Sequence, residues 1–114
     1  MSFFESEVVR AEMVEISELQ EEIYSNVFEF PSMSKEEKIE HVNILEKLLD
    51  KQKVLYTRLS LSDDPEAQEM KERVIESAQL MGLPPNVDMN VIFNNMSKML
   101  EVMKEQIDKT GSDL

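Results

Sequence analysis

Cysteine and tryptophan are absent from this chain, and histidine occurs once, at His41. Without cysteine there are no disulfides, no thiolate metal ligands and no cysteine nucleophile. A single imidazole leaves little material for acid–base or metal chemistry. Glycine occurs twice and proline four times. Phosphate-cradling Gly-rich loops and strained Gly-x-Ser-x-Gly turns are therefore missing. No run approaches the ~20 apolar residues that span a bilayer as a helix. The start, Met1-Ser2-Phe3-Phe4-Glu5, has no basic region of a signal peptide. A cytoplasmic location is expected, and the lack of cysteine fits a reducing compartment. Positive charge is also scarce: 12 Lys+Arg stand against 24 Asp+Glu, a net charge of −12. Such a balance argues against direct binding to a phosphate backbone.

What is present is a helical pattern. The 114 residues, 41% of them hydrophobic, suit one small domain over 1–109 with a frayed tail at 110–114. A compact chain of this size exposes about 6,500 Å². The few Gly and Pro residues fall where helices stop or start, and strand-like alternation is missing between them, so the expected class is all-α. The first helix is expected over about 3–29, with Ser2 and Glu5 as a capping box. Val9, Met13, Ile16, Gln20, Ile23, Val27 and Phe30 recur every three or four residues, the stripe of a helical hairpin or coiled coil. The second helix is expected over about 35–60, with Ser34 and Glu37 as its capping box and Val42, Leu45, Leu49, Gln52, Tyr56 and Leu59 as its stripe. The short link around Pro31 makes the pair antiparallel. Gln20 and Gln52 interrupt the two seams, either as a register-setting hydrogen bond or as solvated amides at the seam edge.

Two shorter helices follow, over about 65–81 and 89–109. Asp64 caps the first, with Pro65 at its opening position, and Gly82 fits the left-handed residue after its end, with Leu83 beyond. Asp88 caps the last helix, whose broad apolar side includes Met89, Phe93, Met96, Met99 and Met103. Most of that methionine stripe reads as core. Together with Ile39, Ile44 and Val54, it is still more apolar surface than a thin four-helix unit hides, which favours self-association, with a homodimer as the simplest form, or a partner.

Charge is unevenly distributed. Residues 1–31 hold eight acids and one base, whereas residues 32–60 hold five acids and six bases. Lys47, Lys51 and Arg58 on the second helix face the acidic first helix as candidate ion pairs, worth about 0.2–1 kcal/mol each. The carboxylates Glu15, Glu18, Glu22 and Glu29 form a candidate steering face for a basic protein, with Phe28, Phe30 and Met99 as buried contacts. The plain alternative for the same row is a solvated helix face. No metal, cofactor or catalytic residue is expected. A di-iron bundle needs Glu-x-x-His on two helices, and Asp63-Asp64-Pro65-Glu66 lacks the alternating ligands and mid-loop Gly of a calcium loop. His41 reads as a hydrogen-bonding residue at the hairpin edge. Asn95-Met96-Ser97 matches a glycosylation triplet, but inside an expected helix it reads as chance.

Phe3-Phe4-Glu5-Ser6-Glu7-Val8-Val9, Arg58-Leu59-Ser60-Leu61-Ser62, Met81-Gly82-Leu83-Pro84-Pro85 and Met99-Leu100-Glu101-Val102-Met103-Lys104 carry a resemblance. Over nearly its whole length the chain resembles a family of short helical proteins of unknown function from cyanobacteria and their tailed phages. The Phe-Glu-Phe-Pro break and the Ser-Leu-Ser-Asp-Asp-Pro turn look more like the phage branch. The resemblance implies an accessory protein of an infected cyanobacterial cell or a virion component, and it carries no active-site residues. The function expected is a non-enzymatic protein–protein interaction module with a basic protein partner, without membrane or nucleic acid. The alternative is a structural or assembly component held by surplus apolar helix faces.

Overall fold

The computed structural model describes residues 3–80, 82–83 and 88–112, with side chains as far as Lys109. It is an all-α bundle, with no strand among the described residues. Four helices, α1 (Glu7–Asn26), α2 (Lys35–Leu61), α3 (Pro65–Leu80) and α4 (Met89–Ser112), are joined by short connections.

Three of the expected starts follow from local chemistry. Ser34 Oγ accepts from the Glu37 N–H at 3.2 Å, and the Ser34 hydroxyl donates to the Glu37 carboxylate. Asp64 Oδ1 accepts from the Glu66 N–H and Asp88 Oδ1 from the Asn90 N–H, each at 2.9 Å. Each carboxylate satisfies an amide that has no partner inside its own helix. The end of α3 also matches. Gly82 takes φ 101°, its N–H donates to Gln79 O, and the Leu83 N–H donates to Ala78 O. These paired bonds form a Schellman turn, which needs a residue without Cβ strain at the left-handed position.

The first helix departs from expectation at both ends. Ser2 lies outside the described residues, and Phe3–Glu5 forms a separate 3₁₀ turn. α1 begins at Glu7, with Ser6 as its cap accepting from the Val9 N–H. The reason is tertiary. The Phe3 N–H donates to Asp64 at 2.5 Å, and Phe3 and Phe4 pack on the Val9, Ile16 and Leu55 cluster. At the other end α1 stops at Asn26 rather than Glu29, and Val27–Ser32 winds as a 3₁₀ helix containing Pro31. Proline lacks the N–H for an i→i−4 bond and disfavours α geometry in the residue before it. The side chains of Ser25 and Asn26 donate to Glu21 O and Glu22 O in the last turn. At the C-terminus, α4 extends to Ser112, past the expected end at Lys109 and through Gly111.

α2 is the central strut. α1 packs antiparallel along one side of it, through Val9, Ile16 and Leu55 with Met13 and Leu48. α4 packs along another side, through Leu49, Tyr56, Met89 and Phe93. α3, shorter than the rest, adds Val74, Ile75 and Ala78 to that second cluster. Ala67 is fully buried at the start of α3, where a methyl side chain permits close approach. The molecule is elongated, 55 × 32 × 20 Å, with a radius of gyration of 16.5 Å. A compact domain of this length has a radius of about 13 Å.

Candidate interaction surfaces

Antiparallel pairing of α1 with α2 sets the charge register. Arg58 Nε lies 3.1 Å from Glu12 Oε1, and Lys51 pairs with Glu15. The hydrogen bond and charge of Lys51, with Lys47 adding at longer range, hold the Glu15 carboxyl below the usual Glu range. Glu15 therefore belongs to the hairpin seam, which corrects its expected place in a free steering row. Glu12, which the sequence pattern did not single out, is engaged in the same way. The expected opposition between acidic α1 and basic α2 is thus realised at two pairs.

Glu18, Glu22 and Glu29 are exposed and form no ion pair among the described residues. Phe28 is 93% exposed. Phe30 is half-buried: its ring centroid lies 5.4 Å from that of His41, with Lys38 Nζ 5.7 Å above it. Phe30 fastens the hairpin corner and is not available as a contact. Met99 is 64% exposed, but it lines a groove between α2 and α4 together with Leu45 and Leu48. The candidate residues thus fall into two surfaces.

At the corner, Tyr24, which the sequence pattern did not single out, joins Phe28, and so does Val27, which corrects its expected place in the apolar seam of the first helix. Tyr24 is 72% exposed and Val27 is also exposed. Val27 and Phe28 are neighbours at the start of the 3₁₀ helix, three and four residues after Tyr24 in the last turn of α1, and the three form an exposed apolar patch with exposed Glu21, Glu22 and Glu29 close by in the chain. The available signal was an aromatic pair four residues apart and off the seam, Tyr24 and Phe28. His41 is buried and borders a cleft of about 220 Å³ with Glu22, Glu37 and Glu40. Among the described residues no group of three or more His, Asp or Glu is placed to hold a metal ion, and no helix is long and apolar enough to cross a membrane.

The second surface is the groove. Leu45, Leu48 and Gln52 of α2 form its floor, and Met96, Met99 and Met103 of α4 form a wall. It continues past Gln52 into a cleft of about 340 Å³ to which all four helices contribute. Gln20 and Gln52 both border that cleft and are half-buried, and no hydrogen bond joins them.

These features define an all-α protein of helical-hairpin type whose exposed chemistry is apolar and acidic. The chain belongs to the family described as domain of unknown function DUF1825, which matches residues 1–107. No curated protein matches the chain. No solved structure matches it either.

Proposed function

We propose that this chain is a non-enzymatic interaction module that binds a basic protein through the corner of its first hairpin. The observation that carries the reading is the Tyr24–Val27–Phe28 patch, exposed beside carboxylates that no cation engages among the described residues. Large aromatic side chains are the usual anchors of protein interfaces, and an acidic rim accelerates encounter with a basic partner. Glu18, Glu22 and Glu29 steer; Phe28 and Tyr24 supply the buried contact. The resemblance to proteins of cyanobacteria and their tailed phages supports an accessory role in the cytoplasm of an infected cell.

The test is capture with the full chain from infected cyanobacterial lysate, followed by titration of the captured protein. A basic partner should be released as salt rises, because the Debye length falls to about 3 Å at 1 M. The triple change Glu18→Lys, Glu22→Lys and Glu29→Lys should release it as well. Binding that survives both treatments overturns the acidic-corner reading.

A second reading, a structural component of a virion or other assembly, draws support from the accessible surface of 8,146 Å², well above the compact expectation of about 6,500 Å². Stoichiometric presence in purified particles supports it, and presence only with host proteins counts against it.

A further inference from the structure

The bundle lacks half a helix. At 1.5 Å per residue the 27 residues of α2 span about 40 Å, while the 16 residues of α3 span about 24 Å. α3 packs with Tyr56, Met89 and Phe93, and none of its residues lines the groove beside the middle of α2, from Leu45 to Gln52. There Leu45, Leu48 and Gln52 are only half-buried, beside Met96, Met99 and Met103.

From this geometry we infer that a second copy of the chain covers the groove, in a two-fold symmetric dimer with Gln52 close to the axis. Three observations select that occupant. The first is area. The chain exposes 8,146 Å², about 1,600 Å² more than a compact chain of its size. Two copies that each hide half of this surplus reach the ~1,600 Å² total of a standard stable interface.

The second is charge. No residue lining the groove is ionised. Nearby lysines are engaged within the chain, Lys104 by Glu46 and Asn43, Lys53 by Asn94. A foreign basic helix finds no carboxylate in these walls, whereas a neutral apolar copy of the same face fits them. The acidic corner is a separate surface, so the dimer does not depend on the proposed function.

The third is Gln52. Its half-buried amide lines both the groove and the adjoining cleft and makes no hydrogen bond among the described residues. A carboxamide carries both donor and acceptor. At a two-fold axis it complements its own copy, as a single buried polar residue does in a coiled-coil seam.

Sedimentation equilibrium of the full chain from about 1 to 100 μM tests the inference. A mass of twice 13.3 kDa is expected. The paired change Met96→Glu and Met99→Glu should weaken association about a hundredfold or more. Both positions are exposed in the single chain, so the far-UV circular dichroism and thermal midpoint of the monomer should persist. Gln52→Lys should also yield monomer, with helicity as its control. Association of the unaltered chain should strengthen with salt as the repulsion between two charges of −12 is screened. A mass of 13.3 kDa throughout the range overturns the inference. So does a dimer indifferent to both methionine changes, or a monomer whose groove takes up an added amphipathic helix.

Discussion

Single residues hold this chain together in ways that can be probed one at a time. Asp64 closes two distant pieces: one oxygen caps α3 at Glu66, and the other accepts from the Phe3 N–H. These two backbone hydrogen bonds, that to Phe3 being the larger influence, hold its carboxyl below the usual Asp range. A carboxyl lowered on folding contributes stability above its unfolded value, and that contribution is lost as pH falls through the folded value. Asp64→Asn should therefore unfold at lower denaturant than the unaltered chain at pH 7. The gap should narrow below the ordinary value of 3.8 and close further down. Denaturant midpoints at a series of pH values measure it, and a gap independent of pH contradicts the assignment. Leu59, at 2% exposure, is among the most deeply buried side chains, so Leu59→Ala should cost about 2–5 kcal/mol of unfolding free energy in urea titrations. Phe28→Ala removes nothing from the core. It should leave the same titration unchanged while weakening capture of a basic partner about tenfold, since each tenfold is ~1.4 kcal/mol.

Elements are delimited by a mixture of local and distant causes. Ser34, Asp64, Gly82 and Asp88 are legible in the sequence because caps and Schellman turns are satisfied within two to five residues. Ser6 is not. It has Val9 rather than an acid three residues on, so it lacks the reciprocal capping spacing of Ser2 and Glu5. The start of α1 instead follows from the tie of Phe3 to Asp64, 61 residues apart in the chain. The end of α1 is not legible in the sequence because an unbroken apolar rhythm runs through Val27 and Phe30, while the segment that contains Pro31 winds as a tighter 3₁₀ helix that periodicity alone does not reveal. Gly82→Ala tests the element ends directly. Nothing lies within 4 Å of an added Cβ there, so its cost is backbone strain alone, about 1–2 kcal/mol. Thermal unfolding should report that loss, with the spacing of α3 and α4 in the folded state unchanged.

At the scale of the whole molecule, the two surfaces predict opposite responses to salt. Binding of a basic partner at the Tyr24–Phe28 corner should weaken as ionic strength rises. Dimerisation through the Leu45–Met99 groove should strengthen, because two acidic chains approach through uncharged walls. One light-scattering series with partner present and absent, from about 50 mM to 1 M salt, separates them: a common direction for both would discard one of the assignments. The elongated shape belongs with this pair of surfaces. α1 and α4 each pack on α2, through separate apolar clusters, and a short α3 leaves the space between them half filled.

The amino-acid order by itself determined the helical class, the antiparallel hairpin, the acidic first helix and most of the caps. Each depends on residues a few positions apart or on the identity of one face, where the period of the α-helix does the selecting. Only the tertiary structure decided that Glu12 and Glu15 bind Arg58 and Lys51, that Phe30 turns in against His41 while Phe28 turns out, and that Met99 opens into a groove. Those outcomes depend on register between helices and on the length of α3 relative to α2, quantities set by side-chain packing across the chain and carried by no local pattern.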